Sequence, residues 1–286
     1  MVLESIISPS KAEKRPWELF FIGVLYSTIG VLFSLWVFKQ YSSLIMVFLT
    51  VTVSVPLLYS TMKREEFKDL GGGSERFLLR EHSRAIEFLV FLFLGILVSF
   101  SLWYIFLPPE TVQTMFSAQV ETINSINAQI TGKTITSLFT SDVFKNILLN
   151  NVKVLLFCIL FAFFYGAGAI FILTWNASVI AAAIGTYVRN NLAEAGSLIG
   201  LPMVWTYFHV FSAGLLRYLT HGVFEIVAYF VGGLAGGIIS VAVINHDFRS
   251  KRFRNVLFDA LTLVLIAFGI LFLAALVEVF VTPVLF

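Results

Sequence analysis

The chain has 286 residues, of which 58% are hydrophobic and 13% charged, with a formal net charge of +2. A water-soluble domain has too little polar surface to cover so much apolar side chain, so the composition points to a protein that crosses a membrane several times. The small net charge gives no ground for a nucleic-acid partner, and the single cysteine, Cys158, excludes a disulfide within the chain.

Residues 1–16 are polar and carry Lys11, Lys14 and Arg15. The first apolar run, 17–38, has about the 20 residues that a bilayer core requires. It is too long for a signal-peptide core and has no small-residue cleavage pattern after it, so it reads as a retained span. A second run, 43–58, returns after a tight connection, making residues 1–60 a tail plus a transmembrane hairpin. Residues 61–84 read as a basic cytoplasmic loop interrupted by Gly71, Gly72 and Gly73. Within it Arg76, Arg80 and Arg84 recur every four residues, on one face of an interfacial helix suited to anionic lipid headgroups.

Span three covers 85–106 and stops at Pro108 and Pro109. The segment 111–147 is polar, and Met115, Val120, Ile123, Ile126 and Ile130 recur at helical spacing, which predicts an amphipathic segment outside the membrane or over the bundle. Span four is placed at 152–175. Asn150 and Asn151 stand at its outer end, Ala162, Gly166 and Ala169 give it a smooth side, and Asn176 closes it. A second small-residue face, Ala177, Ala181 and Gly185, follows.

The basic clusters at 60–87 and 246–254 belong inside by the positive-inside rule. Parity then allows one net crossing between span four and the helix containing His221. The expectation is therefore a single span beginning near Asn176, followed by a re-entrant or broken segment at 198–219. The last span covers 256–281. Seven spans result, with the N-terminus cytoplasmic and the C-terminus outside, and 13 of the 19 lysines and arginines on the inner side.

The stretch 218–240 holds the candidate site. His221 and Glu225 are one helical turn apart in an apolar run, and an acid there is costly in lipid, so it should face protein or a wet cavity. Arg217 is a candidate partner for Glu225, and Asn176, Asn150 and Asn151 complete the polar set. Ala228, Gly232 and Gly236 lie on the Glu225 face and predict close packing against span four or span five. The spacing His-x-x-x-Glu falls short of a zinc-protease motif, and no clustered Cys/His set, phosphate loop or nucleophile motif is present. No metal, cofactor or enzymatic activity is expected.

The Asn150–Asn151 pair before a Gly/Ala-bearing span, Asn176 closing that span, and the stretch HGVFEIVAYFVGGLAGG together resemble the stage II sporulation protein M family. The resemblance covers 85–286. It implies an all-α polytopic membrane bundle whose partners define its task, since the family's namesake in spore formers is a scaffold that positions cell-wall hydrolases. This chain departs from that pattern in its extra hairpin and its basic Gly-containing loop. The expected function is a non-enzymatic scaffold or assembly component in the cell membrane, contacting lipids and another membrane or membrane-associated protein, with homo-oligomerisation through the glycine face as a further option. The alternative is a transporter or permease subunit with a polar path through His221 and Glu225.

Overall fold

A computed structural model describes residues 15–70, 75–134, 140–165, 169–194, 201–244 and 251–285. Among these the regular structure is helical throughout: α1 (Glu18–Val37), a 3-10 turn (Lys39–Tyr41), α2 (Ser42–Leu70), α3 (Glu75–Phe106), α4 (Pro109–Met115), α5 (Ser117–Thr134), α6 (Thr140–Tyr165), α7 (Ala169–Glu194), α8 (Leu201–Ile244) and α9 (Lys251–Leu276). A π-helical turn (Val277–Val281) and a last short helix, α10 (Thr282–Leu285), complete the chain. Seven helices are long and apolar enough to cross a membrane, drawn from α1, α2, α3, α6, α7, α8 and α9 with its C-terminal extension. The all-α polytopic architecture expected from composition is therefore present.

The dimensions of α1 suit a bilayer. Trp17 and Trp36 are both exposed, and the 19 residues between them span about 28 Å at helical rise, close to a hydrocarbon core. Indole rings at such positions anchor a span at its two interfaces. On its inner side α1 meets α3 through glycine. A Cβ on Gly23 would strike the carbonyl oxygen of Leu92, and one on Gly95 would strike that of Phe20, so each backbone occupies the space the other leaves. Such contact draws two helices together by dispersion, the main attraction available where lipid is as apolar as the side chains.

α7 is the hub, packing on α2, α3, α5, α6 and α8, while α8 packs on α6 and α9. Arg189 on α7 donates to the carbonyls of Ile105 and Leu107, and its guanidinium lies 5.6 Å from the centre of the Tyr104 ring. It thereby satisfies carbonyls that the end of α3 leaves open. The segment after Pro109 folds as α4 and α5 over the bundle, burying Val112, Met115 and Phe116. Gln119 of α5 is fully buried: its amide donates to the Ser43 carbonyl and the Ser178 hydroxyl, each at 3.2 Å, and accepts from the Ser43 hydroxyl at 2.9 Å. Gln119 thus ties α5 to both α2 and α7. The side chains of Ile126 and Ile130 lie outside the described residues.

Three expectations are corrected. The segment 198–219 is neither re-entrant nor broken from Leu201 onward, because it is the first half of α8, a continuous helix of 44 residues. Its proline, Pro202, falls in the first turn, where proline is tolerated, and no further breaker follows except the isolated Gly214. Asn176 does not end span four; α6 stops at Tyr165, and Asn176 lies inside α7. Gly166 falls outside the described residues. The basic stretch 61–84 is largely helical, since α2 runs on to Leu70 and α3 starts at Glu75. Arg76, Arg80 and Arg84 sit on the helix that leads directly into span three, and their side chains lie outside the described residues.

Candidate functional site

The site is assembled by three helices and the π turn. On α8, His221 and Glu225 are four residues apart and project from neighbouring positions of one face. From α6, the Asn151 side-chain amide donates to Glu225 Oε1 at 2.5 Å, and Asn151 is 6% exposed. From the π turn, Glu278 hydrogen-bonds to Glu225, carboxyl to carboxyl. An ionised carboxylate has no donor, so this last bond requires one proton on the pair.

A second contact repeats the pattern one turn away. His221 Nδ1 is 3.3 Å from the Thr282 hydroxyl, and that hydroxyl donates to the Val277 carbonyl at 3.2 Å. With the hydroxyl hydrogen directed to Val277, Nδ1 of His221 carries the hydrogen it donates to Thr282. The Thr282 backbone N–H reaches the same Val277 carbonyl, the wide five-residue closure that defines the π turn. Thus 221 meets 282 and 225 meets 278, two matched rungs between antiparallel helices. Tyr229, buried one turn beyond Glu225, is within electrostatic reach of both carboxyls and of Cys158.

The glycine stripe lies directly below the acid. A Cβ on Gly236 would strike the Ile159 carbonyl oxygen, and one on Gly232 would meet the methyl end of Leu155. Residues 151, 155 and 159 of α6 therefore meet 225, 232 and 236 of α8 in the same order, which makes the two helices parallel. α7 returns between them, as three successive crossings require. Ala228 is fully buried, and so is Ala181 on α7. Gly185 on α7 faces elsewhere: a Cβ there would meet the Tyr104 ring of α3.

The remaining candidates are dispersed. Arg217 lies 6.0 Å from the centre of the Tyr187 ring on α7, about 12 Å along α8 from Glu225, and among the described residues no ion pair joins them. Asn150 is exposed beside its buried neighbour Asn151. Asn176 carries a buried Nδ2 with no hydrogen-bond partner among the described residues. Contacts of Gly214 with Tyr187 and of Gly233 with Ala169 set an antiparallel register that puts Asn176 at the height of Glu225. Among the described residues no group of three or more His, Cys, Asp or Glu side chains is placed to hold a metal ion. Sequence reasoning missed Glu278 and Thr282 as members of the site. Their spacing of four residues, equal to that of His221 and Glu225, was the available signal.

Space is uneven around the site. Although Gly222 is buried, a Cβ there would meet nothing within 4 Å. Gly222→Ala should therefore be accepted, and the lower helix-forming tendency of glycine makes a gain of about 0.5–1 kcal/mol the expected result. Thermal unfolding in detergent checks it; a fall in the midpoint would mean that this space is closed.

A family model described as Stage II sporulation protein M matches residues 85–283. The chain belongs to that family. The matched region holds every member of the site, from Asn151 to Thr282, while α1, all of α2 and the first turns of α3 precede it. With seven helices suited to crossing a membrane, it is an integral membrane protein of the stage II sporulation protein M family. No curated protein and no solved structure shows a significant match.

Proposed function

We propose that the chain is a non-enzymatic assembly component of the cell membrane, in which the Asn151–Glu225–Glu278 cluster is a clasp joining α6, α8 and the C-terminal turn. One observation supports this reading above the others: the polar groups of the cluster are satisfied by one another across helices, beside glycine contacts that allow little relative movement. Polar side chains used in this way fix a bundle's arrangement. The fixed bundle then presents its outer surfaces to lipid and to a membrane or membrane-associated partner, with a second copy of the chain as a further candidate. The N-terminus is cytoplasmic and the C-terminus outside in this proposal, so cysteine labelling should reach position 133 from outside and 68 from inside; the reverse pattern overturns the orientation.

A second reading, a transporter or permease subunit, is favoured by the partial exposure of His221, Glu225 and Glu278. Ionisable groups in apolar helices often mark proton or solute paths. Proteoliposomes separate the two. Solute or proton movement that Glu225→Gln stops while the bundle stays folded would falsify the assembly reading. Crosslinking in native membranes followed by mass spectrometry should recover a defined protein partner if that reading holds.

A further inference from the structure

We propose that the Glu225–Glu278 pair is a one-proton latch that holds the C-terminal turn and α10 against α8, and that loss of its proton releases them. The latch rests on the register that His221 and Thr282 set between α8 and the C-terminal turn, which brings 278 opposite 225, and it is independent of whether the bundle assembles partners or moves a solute.

The His221–Thr282 register brings the two carboxyls within hydrogen-bonding reach, and a hydrogen bond between them exists only while the pair holds at least one proton. Removing the proton leaves two like charges side by side, a repulsion that few groups here can relieve. The groups facing the pair are Asn151 from α6 and His221 and Tyr229 from α8, with Cys158 of α6 near Tyr229 and Asn176 of α7 at the same height. Asn151, Asn176 and the un-ionised Tyr229 and Cys158 carry no charge. His221 is directed to Thr282. Among the described residues no lysine or arginine is paired with either acid.

The element that would move is itself unusual. Glu278 sits in the π turn, where one residue more than in an α turn is accommodated. Sliding that extra residue along the helix rotates Glu278 by about 100° and carries it away from α8. The second rung, His221 to Thr282, ends on the residue that closes the same turn, so the two rungs release together. Phe280 in the turn and Val284 and Leu285 beyond it are exposed, and among the described residues no side-chain hydrogen bond other than that of Thr282 ties α10 to α8.

The test places spin labels on Leu216→Cys and Leu285→Cys in the full-length chain, with Cys158→Ala, in lipid nanodiscs. A closed state that holds one more proton than the open state opens about tenfold further per pH unit once the pair titrates. Pulsed-resonance distances should therefore show a single short population at low pH and a longer one that grows as the pH rises. An unchanged distribution from about pH 5 to about pH 9 overturns the latch. Glu278→Gln supplies a permanent amide donor to the Glu225 carboxylate, so its distribution should stay short at every pH. If Glu278→Gln keeps the wild-type response, a different group is titrating and the latch is again overturned.

Discussion

Glu225→Ala should lower the stability of the bundle by about 2–6 kcal/mol, because it leaves two polar side chains, Asn151 and Glu278, without their partner at about 1–3 kcal/mol each. The loss should appear as a lower unfolding midpoint in detergent and as weaker retention of α9 against α8 in protease digests. Glu225→Gln retains an acceptor for Asn151 and a donor for Glu278, so its midpoint should remain within about 1 kcal/mol of wild type. Replacing Asn151, Glu225 and Glu278 together by leucine should be milder than Glu225→Ala alone, since no polar group is then stranded. A triple variant that is worse than the single one would show that shape, and not hydrogen bonding, dominates the cluster.

Gly95→Leu should have the largest effect in the N-terminal half, about 3 kcal/mol. The added side chain would begin at the Phe20 carbonyl oxygen, which is backbone and cannot turn aside. Because Gly23 meets Leu92 across the same interface, α1 can yield only by separating from α3 along its length. Disulfide crosslinking between cysteines introduced at Thr28 and Ser99, whose hydroxyls lie 3.2 Å apart across α1 and α3, should reveal the separation as a lost crosslink, while unfolding of the 85–283 region is affected less. Retention of the crosslink at the wild-type rate would show that the helices tolerate a wider spacing.

The spans were readable because each is a long apolar run, and helix-forming length in lipid leaves few alternatives. The site was half readable. Glu225 stood out as an acid among apolar residues, and Asn151 as an amide at the edge of a span, but Glu278 lies 53 positions further on and meets Glu225 only after α9 folds back along α8. No periodicity within one helix reports that meeting. The misplacement of Asn176 has a physical source too: a polar residue between two apolar runs resembles an end, yet a membrane helix can carry an amide inward toward neighbouring helices. One described helix instead ends at Tyr165 and the next begins at Ala169. The seven spans expected match in number the seven helices long and apolar enough to cross a membrane, but the expected break at 198–219 is absent from Leu201 onward, since Arg217 and His221 interrupt the hydropathy of α8 without interrupting its backbone.

The length of α8 carries a mechanical consequence. At helical rise its 44 residues extend about 66 Å, more than twice a bilayer core. Glu225 divides it unequally, with 24 residues, or about 36 Å, reaching back to Leu201. The clasp therefore acts as the fulcrum of a long arm, and a tilt of about 5° there displaces the Leu201 end by about 3 Å. A rearrangement too small to disturb the glycine contacts at Ile159 would be delivered, amplified, at the opposite end of the helix.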